Sequence, residues 1–449
     1  MRRQISHRLL LTGLAFLLTV SVASFSQAQV LGGGFVNRNV GGISVDAEGV
    51  LSAPTVKEEQ ELNRIRQEAR VTVPEQLSRF TPLRAVSLRQ LEAEISRSLA
   101  EKKPLPEEVL YLAGLQRVEY VIAYPERNDI VLAGPAEGWK LDEVGNVVGV
   151  TTNRPVLLLD DLLVALRSGP ASRVEAITCS IDPTPEGLQR WQKLASNMRR
   201  IGNPDQTMRR IEDALGPQVI SVTGISPDTH FARAMVAADF RMKRLAMNFE
   251  PAPVGNMPSF LEMLRSGGAS SMMPRWWLAP NYQPLAQTKD GLTWQLRGPG
   301  VKCMTEQDFI DASGNKQASG KAHPVAQKWA DSMTKQFGEL AAHDSAFGQL
   351  RNVMDLAVIG ALIEKHQLLE QVALDAPNLM ADLQPTSFPA PRYTSSKASF
   401  VKRGKKWLIS ASGGVEILPW QIADVSETVE SLSKVREQLT KSSDGLWWE

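Results

Sequence analysis

The sequence is poor in the residues from which most recognisable catalytic and metal sites are built. Its 449 residues include only five histidines and two cysteines, and none of these falls in an H-E-x-x-H helix or a Cys/His cluster. A glycine-rich stretch at residues 32–49 is not followed by a helix in the pattern of a phosphate-binding loop. We therefore predict neither a metal ion nor a cofactor.

An excess of one charge is also absent. Lysine and arginine total 50, aspartate and glutamate total 49, and the formal net charge is +1. A nucleic-acid-binding protein needs a basic face, so this balance argues against a nucleic-acid partner. The same balance argues against wholesale disorder of the chain.

Long hydrophobic runs are rare, and the clearest one lies at the start of the chain. Three arginines within the first eight residues precede an uncharged apolar run at residues 9–22, and the small residues Ser26 and Ala28 follow it. This order is typical of a signal peptide over residues 1–28 that is cleaved near Ala28. We expect export to the periplasm or the cell surface.

The two cysteines, Cys179 and Cys303, lie in the part of the chain that we expect to be exported. An oxidising compartment allows them to form one disulfide bond. The alternative is two buried free thiols, because Cys179 lies in a strand-like run at residues 174–181. A catalytic cysteine is disfavoured, since no cysteine-protease signature surrounds either residue.

The order of elements is typical of an α+β protein. The patterns predict a glycine-rich entry and amphipathic helices for residues 29–117, an α/β domain for residues 118–310 and a polar linker for residues 311–323. A mainly helical region with a small hairpin is predicted for residues 324–449. We expect a mixed central sheet that contains a β-α-β unit and is flanked by amphipathic helices.

The C-terminal region is predicted in more detail. Apolar residues at helical spacing predict a pair of helices over residues 325–340 and 347–368. Their apolar centre, residues 358–363, is too short to cross a bilayer, so we predict no transmembrane segment in the mature chain. A hairpin at residues 399–410 and a closing helix at residues 422–439 follow, and the two tryptophans at the end of the chain are expected to dock on the fold.

The centre of the chain predicts the β-α-β unit and a candidate site at its edge. Strands at residues 174–181 and 219–222 flank two helices, and a helical crossover predicts that these strands are parallel. The carboxyl ends of parallel strands meet at one edge, where open α/β sheets bind ligands. Asp182, Asp228 and His230 fall at that edge and are the candidate catalytic residues.

The same residues have a structural alternative. A helix is predicted over residues 231–249, with Ser226 as its cap and Pro227 next in sequence. Asp228 would then stabilise the positive end of the helix. His230 would be a surface or packing residue.

Two neighbouring acids have a structural explanation too. Asp160 and Asp161 open a helix predicted over residues 159–166, where negative charge stabilises the positive helix end. We therefore do not predict a catalytic dyad at this position.

Several segments resemble a family of exported planctomycete proteins known only as domain-of-unknown-function family 1598. These segments are residues 41–50, 120–126, 129–139, 230–251, 275–280 and 290–302. The resemblance implies export and a planctomycete source. It implies no catalytic residues.

These observations favour a binding or structural role. The elements are well patterned, but no acid, base, nucleophile or metal cluster is evident along the sequence. We predict an exported soluble protein with a binding or structural role and an unidentified envelope or extracellular partner. Because catalytic groups can converge only in space, the alternative is a secreted hydrolase that uses Asp182, Asp228 and His230.

Overall fold

The computed structural model describes residues 39–54, 73–198, 203–265, 273–310, 316–397, 412–440 and 445–449. The predicted signal peptide and the predicted hairpin at residues 399–410 lie outside these ranges. The described residues form an α+β fold with mixed sheets, which confirms the predicted fold class.

The described strands, numbered in chain order, are mostly short. They are β1 (Asn39–Val40), β2 (Ile43–Val45), β3 (Val50–Ser52), β4 (Thr81–Ser87), β5 (Tyr120–Tyr124), β6 (Asp129–Ala136), β7 (Trp139–Leu141), β8 (Val147–Gly149), β9 (Ile177–Pro183), β10 (Gln218–Thr223), β11 (Met273–Asn281), β12 (Leu285–Gln287), β13 (Thr293–Gln295), β14 (Gly300–Ile310), β15 (Lys316–Ala318), β16 (Tyr393–Thr394), β17 (Ser412–Ile417), β18 (Ser426–Thr428) and β19 (Trp447–Trp448).

The described α-helices, also in chain order, include two long neighbours near the C-terminal part. They are α1 (Leu88–Glu101), α2 (Glu107–Leu110), α3 (Leu159–Ser168), α4 (Pro185–Asn197), α5 (Pro204–Leu215), α6 (His230–Ala246), α7 (Phe260–Arg265), α8 (Pro324–His343), α9 (Ser345–Lys365), α10 (Leu368–Gln371), α11 (Pro377–Met380), α12 (Pro419–Ala423) and α13 (Ser433–Thr440).

The larger sheet has ten strands in the order β1-β2-β3-β16-β10-β9-β17-β11-β14-β15. Most neighbours are antiparallel, but β3–β16 and β11–β17 are parallel pairs. In β9, Ile177, Cys179 and Ile181 are buried while the residues between them are partly exposed. This alternation is the pattern of a strand with one face on the core. The sheet takes strands from all three predicted regions, and β15 lies within the predicted linker.

The smaller sheet has seven strands in the order β18-β12-β13-β5-β6-β4-β19. Its centre is the hairpin of β5 and β6, whose turn ends at Asn128 with a φ of 53°, a conformation that asparagine tolerates. At one edge, Trp447 and Trp448 pair with β4. The predicted docking of these tryptophans is therefore confirmed.

Helix α9 lies at the centre of the core. It packs against α3, α6, α8 and α12 and against strand β14. By length and composition this helix could cross a membrane, but 94% of its most apolar window is buried inside the fold. Its hydrophobic character is accounted for by protein neighbours, as expected for a helix that is apolar on all sides.

The predicted parallel pairing of the two central strands is wrong. Strands β9 and β10 are antiparallel, with Thr223 opposite Thr178. The first turn of α4 lies beside the last turn of α5, where Arg190 Nε donates to the Ala214 carbonyl oxygen at 2.9 Å. Two helices that run back to back return the chain to its starting edge, so the connection is a long hairpin and not a crossover.

The disulfide alternative is also wrong, since Cys179 and Cys303 are buried free thiols. They lie in one row across the larger sheet, with Val415 and Leu278 between them. Three strand spacings separate the two cysteines by about 14 Å, beyond the reach of a disulfide. Burial raises the pKa of both thiols, which disfavours the reactive thiolate.

The predicted closing helix over residues 422–439 is interrupted. Helix α12 ends at Ala423, and β18 then pairs in parallel with β12 at the edge of the smaller sheet. Helix α13 begins only at Ser433. Pairing with a sheet edge overrides the helical spacing of the apolar residues, since strand formation depends on tertiary context.

The close approach of strands around β17 allows a test of stability. A Cβ at Gly413 would lie 1.5 Å from the Trp276 carbonyl oxygen, and the φ of Gly413 is +131°. Because β17 cannot keep its position with that added atom, Gly413→Ala should lower the free energy of unfolding by about 3 kcal/mol or more in denaturant unfolding. The matched control is Gly338→Ala on α8, where a Cβ meets nothing within 4 Å and helix propensity improves. Equal stability of the two variants would contradict this packing.

Candidate functional site

Helix α6 carries His230 and most of the buried charge around the candidate site. The helix begins after Thr229, whose Oγ1 accepts a hydrogen bond from the Ala232 N–H at 3.1 Å. The prediction of Ser226 as the cap is therefore wrong. Fourteen of the 17 residues of α6 are buried, so its polar side chains need partners inside the protein. These side chains are His230, Arg233, Asp239 and Lys243.

His230, the first residue of α6, pairs with Asp161 on α3. The Nδ1 atom lies 2.9 Å from Oδ2 and 3.0 Å from Oδ1 of Asp161, and both side chains are almost fully buried. Burial alone would lower the pKa of His230, but the charge and the hydrogen bond of Asp161 raise it. We assign Nδ1 as the donor, because an ionised carboxylate only accepts hydrogen bonds.

Asp160 adds a second carboxyl group beside this pair. Its Oδ1 atom is buried and has no hydrogen-bond partner among the described residues. Burial and the negative charge of Asp161 raise the pKa of Asp160 to about 7. A carboxyl group with a pKa near neutrality is suited to proton transfer. Asp160 can take part in such a transfer only where a substrate reaches it.

The segment that follows α11 covers the start of α6. The Phe388 N–H donates to the Asp228 carbonyl oxygen at 2.9 Å, and the Phe388 ring centroid lies 5.9 Å from that of His230. The Arg233 guanidinium stacks over the Phe388 ring, 5.0 Å from its centroid, and donates to the Pro389 carbonyl oxygen at 2.8 Å. Phe388 itself is buried, so this segment separates His230 from solvent.

A second charged pair lies farther along α6. Lys243 Nζ lies 2.8 Å from Asp239 Oδ2 and donates to the carbonyl oxygens of Ile181 at 2.7 Å and Gly413 at 3.2 Å. Asp239 is fully buried, and burial raises its pKa to about 7 although Lys243 opposes the shift. The pair connects α6 to β9 and β17.

The three residues predicted from the sequence are not brought together. Burial and Lys243 have the largest effects on the pKa of Asp239, and the negative charge of Asp182 raises it further. Asp182 therefore lies close to the Asp239–Lys243 pair. Asp239 is about 14 Å along the helix axis from His230. Asp228 is partly exposed. It follows the end of β10, whereas Asp182 lies beside the beginning of that strand. Antiparallel pairing causes this separation, because the end of β9 lies beside the beginning of β10.

The chemistry open to these groups is limited. A histidine held by a carboxylate is the arrangement that orients a general base. In the described part of the chain, however, His230 is hydrogen-bonded only to Asp161 and to no hydroxyl or thiol. Lys243 uses its three N–H donors on three acceptors. Over the described ranges, no group of three or more His, Cys, Asp or Glu side chains is placed to hold a metal ion.

A concave surface lies at the other end of α6. A cleft of about 360 Å³ is formed by the end of α6, the segment that follows it, the start of α7 and one side chain of α8. This volume is at the lower end of the range for small-molecule sites. The lining includes Asn248, Glu250, Ala252, Asn256, Glu262 and Trp329.

The two acids of this cleft already have partners. Glu250 forms ion pairs with Arg241 and Arg244. Glu262 Oε2 accepts the Ser259 N–H at 2.9 Å, while Ser259 Oγ accepts the Glu262 N–H at 3.1 Å, which is a capping box at the start of α7.

The Trp329 side chain is different from the acids. It is fully buried, and its Nε1–H has no acceptor among the described residues. A buried donor of this kind is normally hydrogen-bonded. Trp329 therefore contributes its fully buried indole to the wall of the cleft, and its Nε1 atom has no accessible surface.

Sequence reasoning missed the partners that hold α6. Asp239 and Lys243 are four residues apart, which is the spacing of neighbours on one helix face, so the second pair had a local signal. Asp161 and His230 are 69 residues apart, and no local pattern connects them. The cleft depends on turns at Asn248 and Asn256, whose φ values of 56° and 59° are tolerated by asparagine.

Replacing Lys243 tests whether the second pair is structural. Lys243→Met leaves Asp239 buried without a counter-charge, so the free energy of unfolding above pH 7 should fall by about 3–5 kcal/mol. The pKa of Asp239 in the folded protein is above its ordinary value of 3.8, so the folded state binds the carboxyl proton more tightly than the unfolded state does. The stability that this proton contributes is lost as the pH rises from about 4 to about 7. The loss caused by Lys243→Met should therefore shrink at acidic pH, where the carboxyl group is neutral.

Denaturant unfolding at acidic and at slightly alkaline pH measures this difference. The matched control is Lys365→Met, because Lys365 pairs with the exposed Asp424 and its loss should cost less than about 1 kcal/mol. A loss of equal size at both pH values would contradict the role assigned to Asp239.

Comparison with known proteins gives one relationship. Residues 179–260 match the sequence profile of a family described as "Protein of unknown function (DUF1598)". The matched range runs from β9 to the start of α7 and includes all of α6. No curated protein and no solved structure gives a significant match. The predicted resemblance is confirmed for residues 179–260, so this segment is related to a domain family of unknown function.

Proposed function

We propose that this protein is exported and has a non-catalytic binding or structural role in the periplasm or at the cell surface. The observation that carries the proposal is the position of the carboxyl groups whose pKa is raised to about 7, Asp160 and Asp239. Neither lines the cleft at the end of α6. Enzymes place groups with shifted pKa values in the concave site where the substrate binds. In this protein the carboxyl groups with shifted pKa values lie outside the cleft.

The partners of the buried charges support the same proposal. Asp161 holds the beginning of α6 through His230, and Asp239 with Lys243 holds its middle against β9 and β17. Breaking such a pair leaves a buried charge without compensation. Stabilisation of α6 therefore accounts for the presence of the two charged pairs, Asp161–His230 and Asp239–Lys243.

The cleft is the surface that we propose for binding. Its acids are neutralised by arginines or used in a helix cap, and its wall includes apolar side chains such as Ala252 and Val254. Such a surface suits a small ligand that is largely uncharged.

Export is supported by the order of charges and apolar residues at the start of the chain. A positive segment, an uncharged apolar run and small residues before Ala28 are the features that signal peptidase recognises. The resemblance to an exported family points in the same direction.

A secreted hydrolase remains the second candidate, because the His230–Asp161 pair has the geometry of an oriented base. A panel of chromogenic esters and glycosides distinguishes the two functions. Turnover that disappears in His230→Gln would establish the hydrolase. The binding role predicts no turnover above that of the buffer.

Processing of the N-terminus tests export. In the native host, N-terminal sequencing of the protein from the envelope or the medium should give Gln29 as the first residue. Ala28→Leu should leave the precursor intact, because the site requires a small side chain, whereas Ala15→Leu within the apolar run should be processed normally. An intact N-terminus on a cytosolic protein would contradict export.

Filling the cleft tests the binding role. Ligand-observed NMR with a panel of small uncharged heterocycles that carry a carbonyl group should detect binding to the unmodified protein. Ala252→Trp should abolish that binding, because Ala252 lines the cleft. Ala93→Trp, at an exposed position on α1, is the matched control and should bind the same compounds. Equal binding by both variants, or no binding at all, would contradict the assignment of the cleft.

A further inference from the structure

A group of arginines lies where the two large sheets meet around α9. Arg117 precedes β5 of the smaller sheet, Arg351 lies on α9, and Arg154 lies in the turn after β8. Gly300 begins β14 of the larger sheet, and a Cβ added there would lie 2.9 Å from Cγ of Arg351 and 3.6 Å from Nη2 of Arg117. The backbone of β14 therefore lies directly against two of these arginine side chains.

Asp355 is the buried counter-charge of this group, and it is already fully used. Arg117 Nε lies 2.8 Å from Oδ2, and Arg117 Nη2 lies 3.3 Å from Oδ1. The Tyr282 hydroxyl donates to Oδ1 at 2.6 Å. Asp355 has no exposed side-chain surface. Inside the core its carboxylate oxygens accept hydrogen bonds from two N–H groups of Arg117 and from the Tyr282 hydroxyl.

Arg351 is left without such a partner. It is four residues before Asp355 on α9, a spacing at which an arginine and an aspartate normally pair, but Arg117 takes that place. Its Nε is buried and has no hydrogen-bond acceptor among the described residues. Burial and the nearby positive charge of Arg117 lower the pKa of Arg351 to about 10. A desolvated Nε–H donor without an acceptor is costly.

The charges that face Arg351 leave a positive excess. Three guanidinium groups, those of Arg117, Arg154 and Arg351, face the carboxyl groups of Asp355 and Glu119. Burial raises the pKa of Glu119, and the charge of Arg117 opposes that shift. Arg351 keeps partial exposure and Arg154 is exposed, so an ion from solvent has a route to the group.

We propose that Arg351, with Arg154 and Arg117, forms a binding site for the oxyanion group of a small ligand, a phosphate or a carboxylate. The planar guanidinium of arginine matches the paired oxygens of both groups. A bound oxyanion supplies the acceptor that Arg351 lacks and balances the positive excess. It also joins α9 to the segments that precede β5 and follow β8. This site is separate from the cleft at the end of α6, so the two can be tested independently.

Titration with inorganic phosphate and with acetate tests the site, with sodium chloride used to hold the ionic strength constant. Calorimetry should show saturable binding of one or both ions, and the unfolding temperature should rise with the same dependence on concentration. Binding of phosphate alone assigns the site to phosphate, and binding of acetate alone assigns it to carboxylates. Absence of saturable binding of either ion would overturn the proposal.

Variants distinguish this site from general charge effects. Arg351→Met should weaken binding of the ion roughly tenfold or more, because it removes a charge-assisted hydrogen-bond donor. In the absence of phosphate and acetate it should unfold at no lower a temperature than the unmodified protein, since it removes a charge without a partner. Arg97→Gln, at an exposed position on α1, is the matched control and should bind the ion normally.

Arg154→Gln gives a second measurement that does not disturb the core, because Arg154 is exposed. It should weaken binding several-fold while the unfolding temperature without the ion stays unchanged. Should Arg351→Met fail to fold, Arg154→Gln decides the question alone. Unchanged affinity in Arg154→Gln, together with unchanged affinity in any folded Arg351→Met, would overturn the site.

Discussion

The fold depends on the burial of one apolar helix on all of its sides. Helix α9 contacts neighbours so closely that a Cβ at Gly360 would lie 2.2 Å from the Ala165 carbonyl oxygen, and one at Gly348 would lie 2.8 Å from Pro155. A helix that is hydrophobic all round is stable in water only when every side is covered. The cover comes from α8, which directly precedes α9 in the chain, and from α3, α6, α12 and β14, which are farther away in sequence. This requirement sets the positions of the layers around it.

A core of this kind restricts the charged groups that it contains. His230, Asp239 and Asp355 each lie on α6 or α9, and each has a charged partner at hydrogen-bond distance. Such groups are committed to the architecture, since a substrate would have to break a buried ion pair to reach them. Groups without a partner have a different meaning. Arg351 Nε is a buried donor that no described side chain or backbone group satisfies, and it belongs to the group of arginines for which we propose an oxyanion ligand.

Local signals predicted the elements well and predicted their arrangement poorly. The helical spacing that predicts helices over residues 325–340 and 347–368 corresponds to α8 (Pro324–His343) and α9 (Ser345–Lys365). The pairing of β9 with β10 was predicted incorrectly, because the two helices between them fold back on each other and no local pattern distinguishes that from a crossover. The grouping of Asp182 with His230 rested on the same assumption, because only parallel pairing would have placed both residues at one edge.

The order of strands in the larger sheet has a consequence for how the chain folds. Strand β17 lies between β9 and β11, although more than a hundred residues separate it in sequence from either neighbour. Until residues 412–417 pair with them, β9 and β11 each have an unpaired edge, and unpaired edges are sites of aggregation. The sheet is completed by contacts of high sequence separation, which form slowly. A chain in which residues 412–417 have not yet paired therefore has two half-sheets, so the insertion of β17 is the step that joins them into one sheet.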